Sequence, residues 1–133
     1  MPLPERPRVV VVDDTPELLD LVCAVLQSQY AVELVGQAGD GSEALHVIAM
    51  LCPDLVIMDV HMPKMDGFAA ASIISTLYPA TTVVLMSGVE APELRSRAKR
   101  CGARAFVFKP NLAVEFTAIL GSHRRQLPNP PSA

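Results

Sequence analysis

The sequence has no CxxC pair, no apolar run approaching the roughly 18 residues of a membrane span, and no large excess of either charge. Each absence removes a class of function. Three cysteines, Cys23, Cys52 and Cys101, lie far apart in an odd number, so neither a disulfide framework nor a metal knuckle is expected. They read as small core or surface residues. The net charge of −3, from 11 basic and 14 acidic side chains, gives no electrostatic reason to expect nucleic acid or a membrane surface. The opening MPLPERPR lacks the apolar core of a signal peptide, so the expected location is the cytoplasm. No internal repeat of fixed period is present.

What is present is half apolar over 133 residues, enough for one domain with a sizeable core. Three prolines in the first eight residues suggest a loose segment, 1–7, and LPNPPSA suggests a loose proline-rich tail, 127–133. Between them, over 8–126, apolar runs alternate with segments of helical periodicity. RVVVVDD reads as a strand buried on both faces. Thr15-Pro16-Glu17 then starts a helix whose buried set is Leu18, Leu21, Val22, Val25 and Leu26. A second strand is expected from Ala31, and a second helix capped by Ser42 and stopped by Pro53. DLVIMD is the third strand, and Gly67 to Leu77 the third helix. Residues 81–87 form the fourth strand, and APELRSRAKR a polar helix closed by Gly102. ARAFVFK is the fifth strand, followed by a last helix from Leu112 to about Arg125. Five βα units with short links imply an α/β fold, with a parallel sheet and helices on both faces.

In open sheets of this kind, function collects beyond the C-terminal ends of the strands. Strand one ends in Asp13 and Asp14, strand three in Asp59, strand four in Ser87, and strand five in Lys109. Three converging carboxylates repel one another, and a hard divalent cation such as Mg²⁺ relieves the conflict. Lys109 adds a compact positive charge suited to a phosphate oxygen, and Ser87 adds a hydroxyl. A carboxylate nucleophile, a metal, a lysine and a hydroxyl together describe phosphoryl transfer onto aspartate.

The motifs VVDD, MDVHMPKMDG, MSG and FVFKP, in this order, resemble the response-regulator receiver domain of two-component signalling, from about Arg8 to about Arg125. The resemblance implies the flavodoxin-like strand order 2-1-3-4-5. It implies that Asp59 accepts a phosphoryl group from a histidine kinase or a histidine phosphotransfer protein. Asp14 and Asp59 would hold Mg²⁺ directly, the backbone carbonyl of His61 would be a third ligand, and Asp13 would act through water. Lys109 would touch the phosphoryl group. Ser87 and Phe106 would be the switch pair, Phe106 moving inward as Ser87 moves. This would change a face made by helix four, strand five and helix five, which meets a protein target or a second copy. Lys109-Pro110 is expected to be cis. Val89, two residues after Ser87, cannot orient water, which implies slow to moderate loss of phosphate.

Each motif has a plainer reading. Asp13-Asp14 could cap a helix, Ser87 could sit in a turn, Lys109 could be a surface lysine and Phe106 a core ring. His61 reads as a solvated loop residue, and His46 and His123 show no evident partner. Asp66 reads as a support of the loop or a cap of the third helix. ELRSRAKR is either a solvated face or a partner-binding one. A true aspartyl phosphatase would often carry an acid two residues after the nucleophile, where this chain has His61. A constitutive protein–protein module would usually have lost part of the acidic set or Lys109. The domain is expected to be no enzyme beyond slow self-phosphorylation and self-dephosphorylation. It is expected either to stand alone or, as the alternative, to be the receiver part of a larger DNA-binding regulator; the stand-alone reading is slightly favoured.

Overall fold

The computed structural model describes residues 2–125, so the proline-rich tail lies outside the described residues. Five strands, β1 (Arg8–Val12), β2 (Glu33–Ala38), β3 (Leu55–Asp59), β4 (Thr82–Ser87) and β5 (Ala105–Phe108), form one parallel sheet in the order β2-β1-β3-β4-β5. The helices α1 (Pro16–Gln29), α2 (Gly41–Leu51), α3 (Gly67–Leu77), α4 (Pro92–Arg100) and α5 (Leu112–Leu120) cover both faces. This is the flavodoxin-like arrangement.

The period of two along each strand divides the core. Val9, Val11, Leu55, Ile57, Val84, Met86 and Val107 pack toward α1 and α5. Val10, Val12, Val56, Met58 and Leu85 pack toward α2 and α3. β3, the middle strand, is buried at all five positions. Its apolar run is therefore what two-sided burial requires, and each fully buried side chain contributes about 1.5–3 kcal/mol.

Local boundaries differ from the sequence expectation in ways that have causes. The second helix is capped by Asp40, whose carboxylate accepts from Glu43 N at 2.8 Å, and not by Ser42. Both are capping residue types; the carboxylate wins because Gly41 already lies inside the helix. Pro53 does follow that helix, but Cys52 ends it in a left-handed conformation. Thr15 stands at the N-cap of α1 without a side-chain bond; the Asp13 carboxylate accepts from Thr15 N instead, at 2.9 Å. β2 starts at Glu33 rather than Ala31. Ala31 N bonds instead to His123 O, and a bridge pairs Tyr30 with Arg124. α5 stops at Leu120 and a 3₁₀ turn, Gly121–His123, replaces its expected last turn. Leu21 is half exposed, and α1 buries Val22, Cys23 and Leu26. His123 is partnered after all, its ring reaching Ser122 Oγ and the carbonyl of Pro4. The Lys109-Pro110 bond is trans, since no cis peptide is found among the described residues; Pro110 sits in a 3₁₀ turn, Lys109–Asn111, that its fixed φ suits.

Candidate functional site

Strand register places the carboxylates. Val12 of β1 lies opposite Met58 of β3, so the next residues, Asp13 and Asp59, emerge side by side. Asp14 follows at the rim and is exposed. One oxygen from each of Asp13, Asp14 and Asp59 lies within 4.8 Å of the others. Asp59 is 4% exposed and Asp13 is buried. On the other flank β4 delivers Ser87, 0% exposed, opposite Phe108 of β5. The chain then turns, so that Lys109 reaches back across the sheet. Its Nζ lies 2.8 Å from Asp13 Oδ2 and 3.3 Å from Asp59 Oδ2.

The loop after β3 is shaped by a close approach. A Cβ on Gly67 would sit 2.8 Å from Val60 Cα and closer still to the carbonyl oxygen of Asp59. Only glycine lets α3 begin against the backbone at the end of β3. Asp66 caps that helix by accepting from Ala69 N at 2.8 Å, and it is not a member of the acidic cluster.

Burial pushes the Asp59 carboxyl above its ordinary value; Lys109 pulls it back, and the Asp13 carboxylate pushes it up again. The His61 N–H points at Asp59 Oδ1 from 3.4 Å. Ser87 Oγ accepts from Val89 N at 2.9 Å, which ties the serine to the loop that follows it. An open cleft of about 570 Å³ adjoins the cluster, lined among others by Asp14, His61, Met62, Leu94 and Arg97. All donors at the cluster are oxygens, the set that a hard cation takes.

Comparison with known proteins agrees with this layout. A family model described as the response regulator receiver domain matches residues 9–120. The chain belongs to this receiver family of two-component response regulators. The receiver is 36% identical over 111 residues to protein-glutamate methylesterase/protein-glutamine glutaminase 3 of Myxococcus xanthus (strain DK1622), covering 81% of this chain and 31% of that protein. It is 36% identical over 114 residues to the probable transcriptional regulatory protein NarL of Mycobacterium tuberculosis, covering 86% of this chain and 53% of NarL. The chain thus spans 31% and 53% of the length of these two relatives, and their named activities belong to longer proteins. The solved receiver domain of M. tuberculosis NarL superposes with a TM-score of 0.77 at 32% identity, over 87% of this chain and 97% of that one. The response regulator domain of Thermotoga maritima CheB gives 0.77 at 28% identity, over 89% and 96%.

The receiver therefore brings Asp13, Asp14, Asp59, Ser87 and Lys109 to one edge. Phe106 lies apart from them. It is 7% exposed, inward among residues of α3 and α4 and covered by Arg95. His46 is exposed on α2 and is not a member of the acidic cluster. Sequence reasoning missed Glu90, Arg95 and Glu115, which bond to one another and to β5. No local pattern could have found them, because the three acid–base partners come from a loop and two helices. Among the described residues no helix is long and apolar enough to cross a membrane.

Proposed function

We propose that the receiver takes a phosphoryl group onto Asp59 from the phosphohistidine of a histidine kinase or phosphotransfer protein, and that this changes a partner-binding face. The observation that carries the reading is the meeting of three carboxylates within 4.8 Å, with a lysine ammonium 2.8 and 3.3 Å from two of them. Asp59 supplies the attacking oxygen. Its burial excludes water from the acceptor, and its strand-end position leaves one side open to a donor. Lys109 is placed to meet the negative charge that spreads over the phosphoryl oxygens. Ser87 supplies a hydroxyl that can turn from Val89 N toward the same oxygens.

The acidic cluster fits Mg²⁺ in charge and donor type. Asp14 and Asp59 would hold it, with the His61 backbone carbonyl, and Asp13 would act through water. An ion held there would supply positive charge to offset the carboxylates and a phosphoryl group. The face of α4, β5 and α5, with Phe106 beneath it, then meets a downstream protein or a second copy. The domain's own chemistry is confined to slow gain and loss of phosphate in the cytoplasm, with Val89 unable to orient attacking water. It does not itself bind nucleic acid. The domain spans 8–126, either standing alone or as the receiver part of a larger regulator. A constitutive binding module would have no need of the intact acidic set and Lys109.

The test is intact mass after incubation with acetyl phosphate. One added phosphoryl group is expected in wild type with Mg²⁺, and none without Mg²⁺ or in Asp59→Asn. Unchanged mass in folded wild-type protein with Mg²⁺ overturns the reading.

A further inference from the structure

Helix α4 buries only Ala98 among its nine residues. One of its side chains nevertheless ties together three other parts of the molecule. Arg95 donates from Nε and Nη2 to the two oxygens of Glu90 at 2.7 and 2.6 Å, a bidentate fork. Nη2 also donates to Glu115 Oε1 at 3.0 Å, and Nη1 to the carbonyl of Phe106 at 3.3 Å. The guanidinium lies 5.1 Å from the centre of the Phe106 ring. The second oxygen of Glu115 accepts from the N–H of Phe108.

Both ends of this strap lead to the site. Glu90 lies three residues after Ser87, in the loop whose Val89 N–H is bonded to Ser87 Oγ. If the Ser87 hydroxyl turns to a phosphoryl oxygen, that bond is given up and the loop carrying Glu90 loses its anchor. At the other end, Phe108 immediately precedes Lys109, so Glu115 holds the backbone from which the lysine reaches the carboxylates.

We propose that Arg95 is a positioning residue that latches the unphosphorylated state, gripping Glu90 beside the Ser87 loop and Glu115 beside the Lys109 turn. The proposal rests on the reading of Asp59 as phosphoacceptor. Arg95 touches no reacting atom. It acts by holding the β4–α4 loop in the arrangement that phosphorylation must undo. Weakening the latch raises the population of the released conformer, and the apparent rate of phosphorylation rises with that population.

Two variants test it. Arg95→Gln removes the whole grip. Glu90→Gln removes only the loop end, at an exposed position where folding is not at risk. The rate of mass gain from acetyl phosphate with Mg²⁺ is measured for both and for wild type. Backbone hydrogen exchange over residues 88–91 is followed with and without beryllofluoride, a mimic of the phosphoryl group. Both variants are expected to gain phosphate about two- to fivefold faster, the scale of one or two exposed charge pairs. Their untreated 88–91 amides should exchange faster than those of untreated wild type, moving toward the rate that wild type shows with beryllofluoride. A merely structural role would slow the reaction and leave that comparison unmoved. If wild type gains phosphate while both variants react at its rate or more slowly, the latch is wrong. If wild type gains none, the acceptor reading fails first and the latch with it.

Discussion

Replacing Lys109 with Met keeps the length and packing of the side chain and removes its charge. In the metal-free receiver that charge is the cation seated against two carboxylates, Asp13 and Asp59, whose side chains are 0% and 6% exposed. Removing one partner of a buried pair generally costs about 3–5 kcal/mol. Two features place the receiver at the lower end. The lysine side chain is 13% exposed, so water takes over part of its role, and a carboxyl left alone can take up a proton. A loss of about 3 kcal/mol at neutral pH is therefore expected, a fall of about 1–2 M in the urea midpoint. The loss has a direction in pH. Asp59 is already raised by burial in the presence of Lys109, and without the ammonium it rises further. A carboxyl raised on folding stabilises the folded chain while protonated, and that contribution is lost as pH climbs through its folded value. The deficit of Lys109→Met should therefore be greatest at neutral pH and shrink toward about pH 5. Millimolar Mg²⁺ should shrink it too, if the cluster takes the ion. Urea unfolding of both proteins in chelator at the two pH values, and with Mg²⁺ at neutral pH, measures all three. A deficit below about 1 kcal/mol, or one that grows as pH falls, would refute the view that the ammonium balances two buried carboxylates.

Two further predictions concern the scaffold. Gly67→Ala pushes a methyl into Val60 Cα and the Asp59 carbonyl, backbone atoms that cannot rotate away, so it should cost about 1–3 kcal/mol and also slow phosphorylation by acetyl phosphate. Asp40→Ala should cost about 1 kcal/mol in thermal or urea unfolding while Ser42→Ala costs less than half of that, since only Asp40 bonds to the first turn of α2.

The five-stranded fold was legible because β1, β3 and β4 are apolar runs closed by polar residues, the mark of strands covered on both sides. The same pattern exposed Asp13, Asp59, Ser87 and Lys109, since a charge at the end of a buried run stands out. The cap of α2 was not legible, because Asp40 and Ser42 are both capping residues and only the path of the chain into the helix chooses between them. The start of β2 was hidden too: Ala31 looks like strand, but its N–H goes to His123, which is far away in sequence. Arg95 read as one member of a polar helix face. Its partners are set by the packing of α4 beside β5, which no periodicity encodes. The trans Lys109-Pro110 bond shows the opposite hazard, where a resemblance supplied a detail that the residues alone did not.

The contact between the ring of His123 and the carbonyl of Pro4 brings positions 4 and 123 within a hydrogen bond of each other, 2.8 Å apart. Both lie at the pole where β1 begins, a strand length of about 16 Å from the carboxylates at its far end. The described chain is thus almost a closed ring. A short linker could join those two positions, and the ring could be opened elsewhere, without touching the acidic edge. Circular permutants of the receiver, or sensors in which a fluorescent domain is inserted at that pole, would leave the carboxylates and Lys109 at the opposite pole in their native geometry.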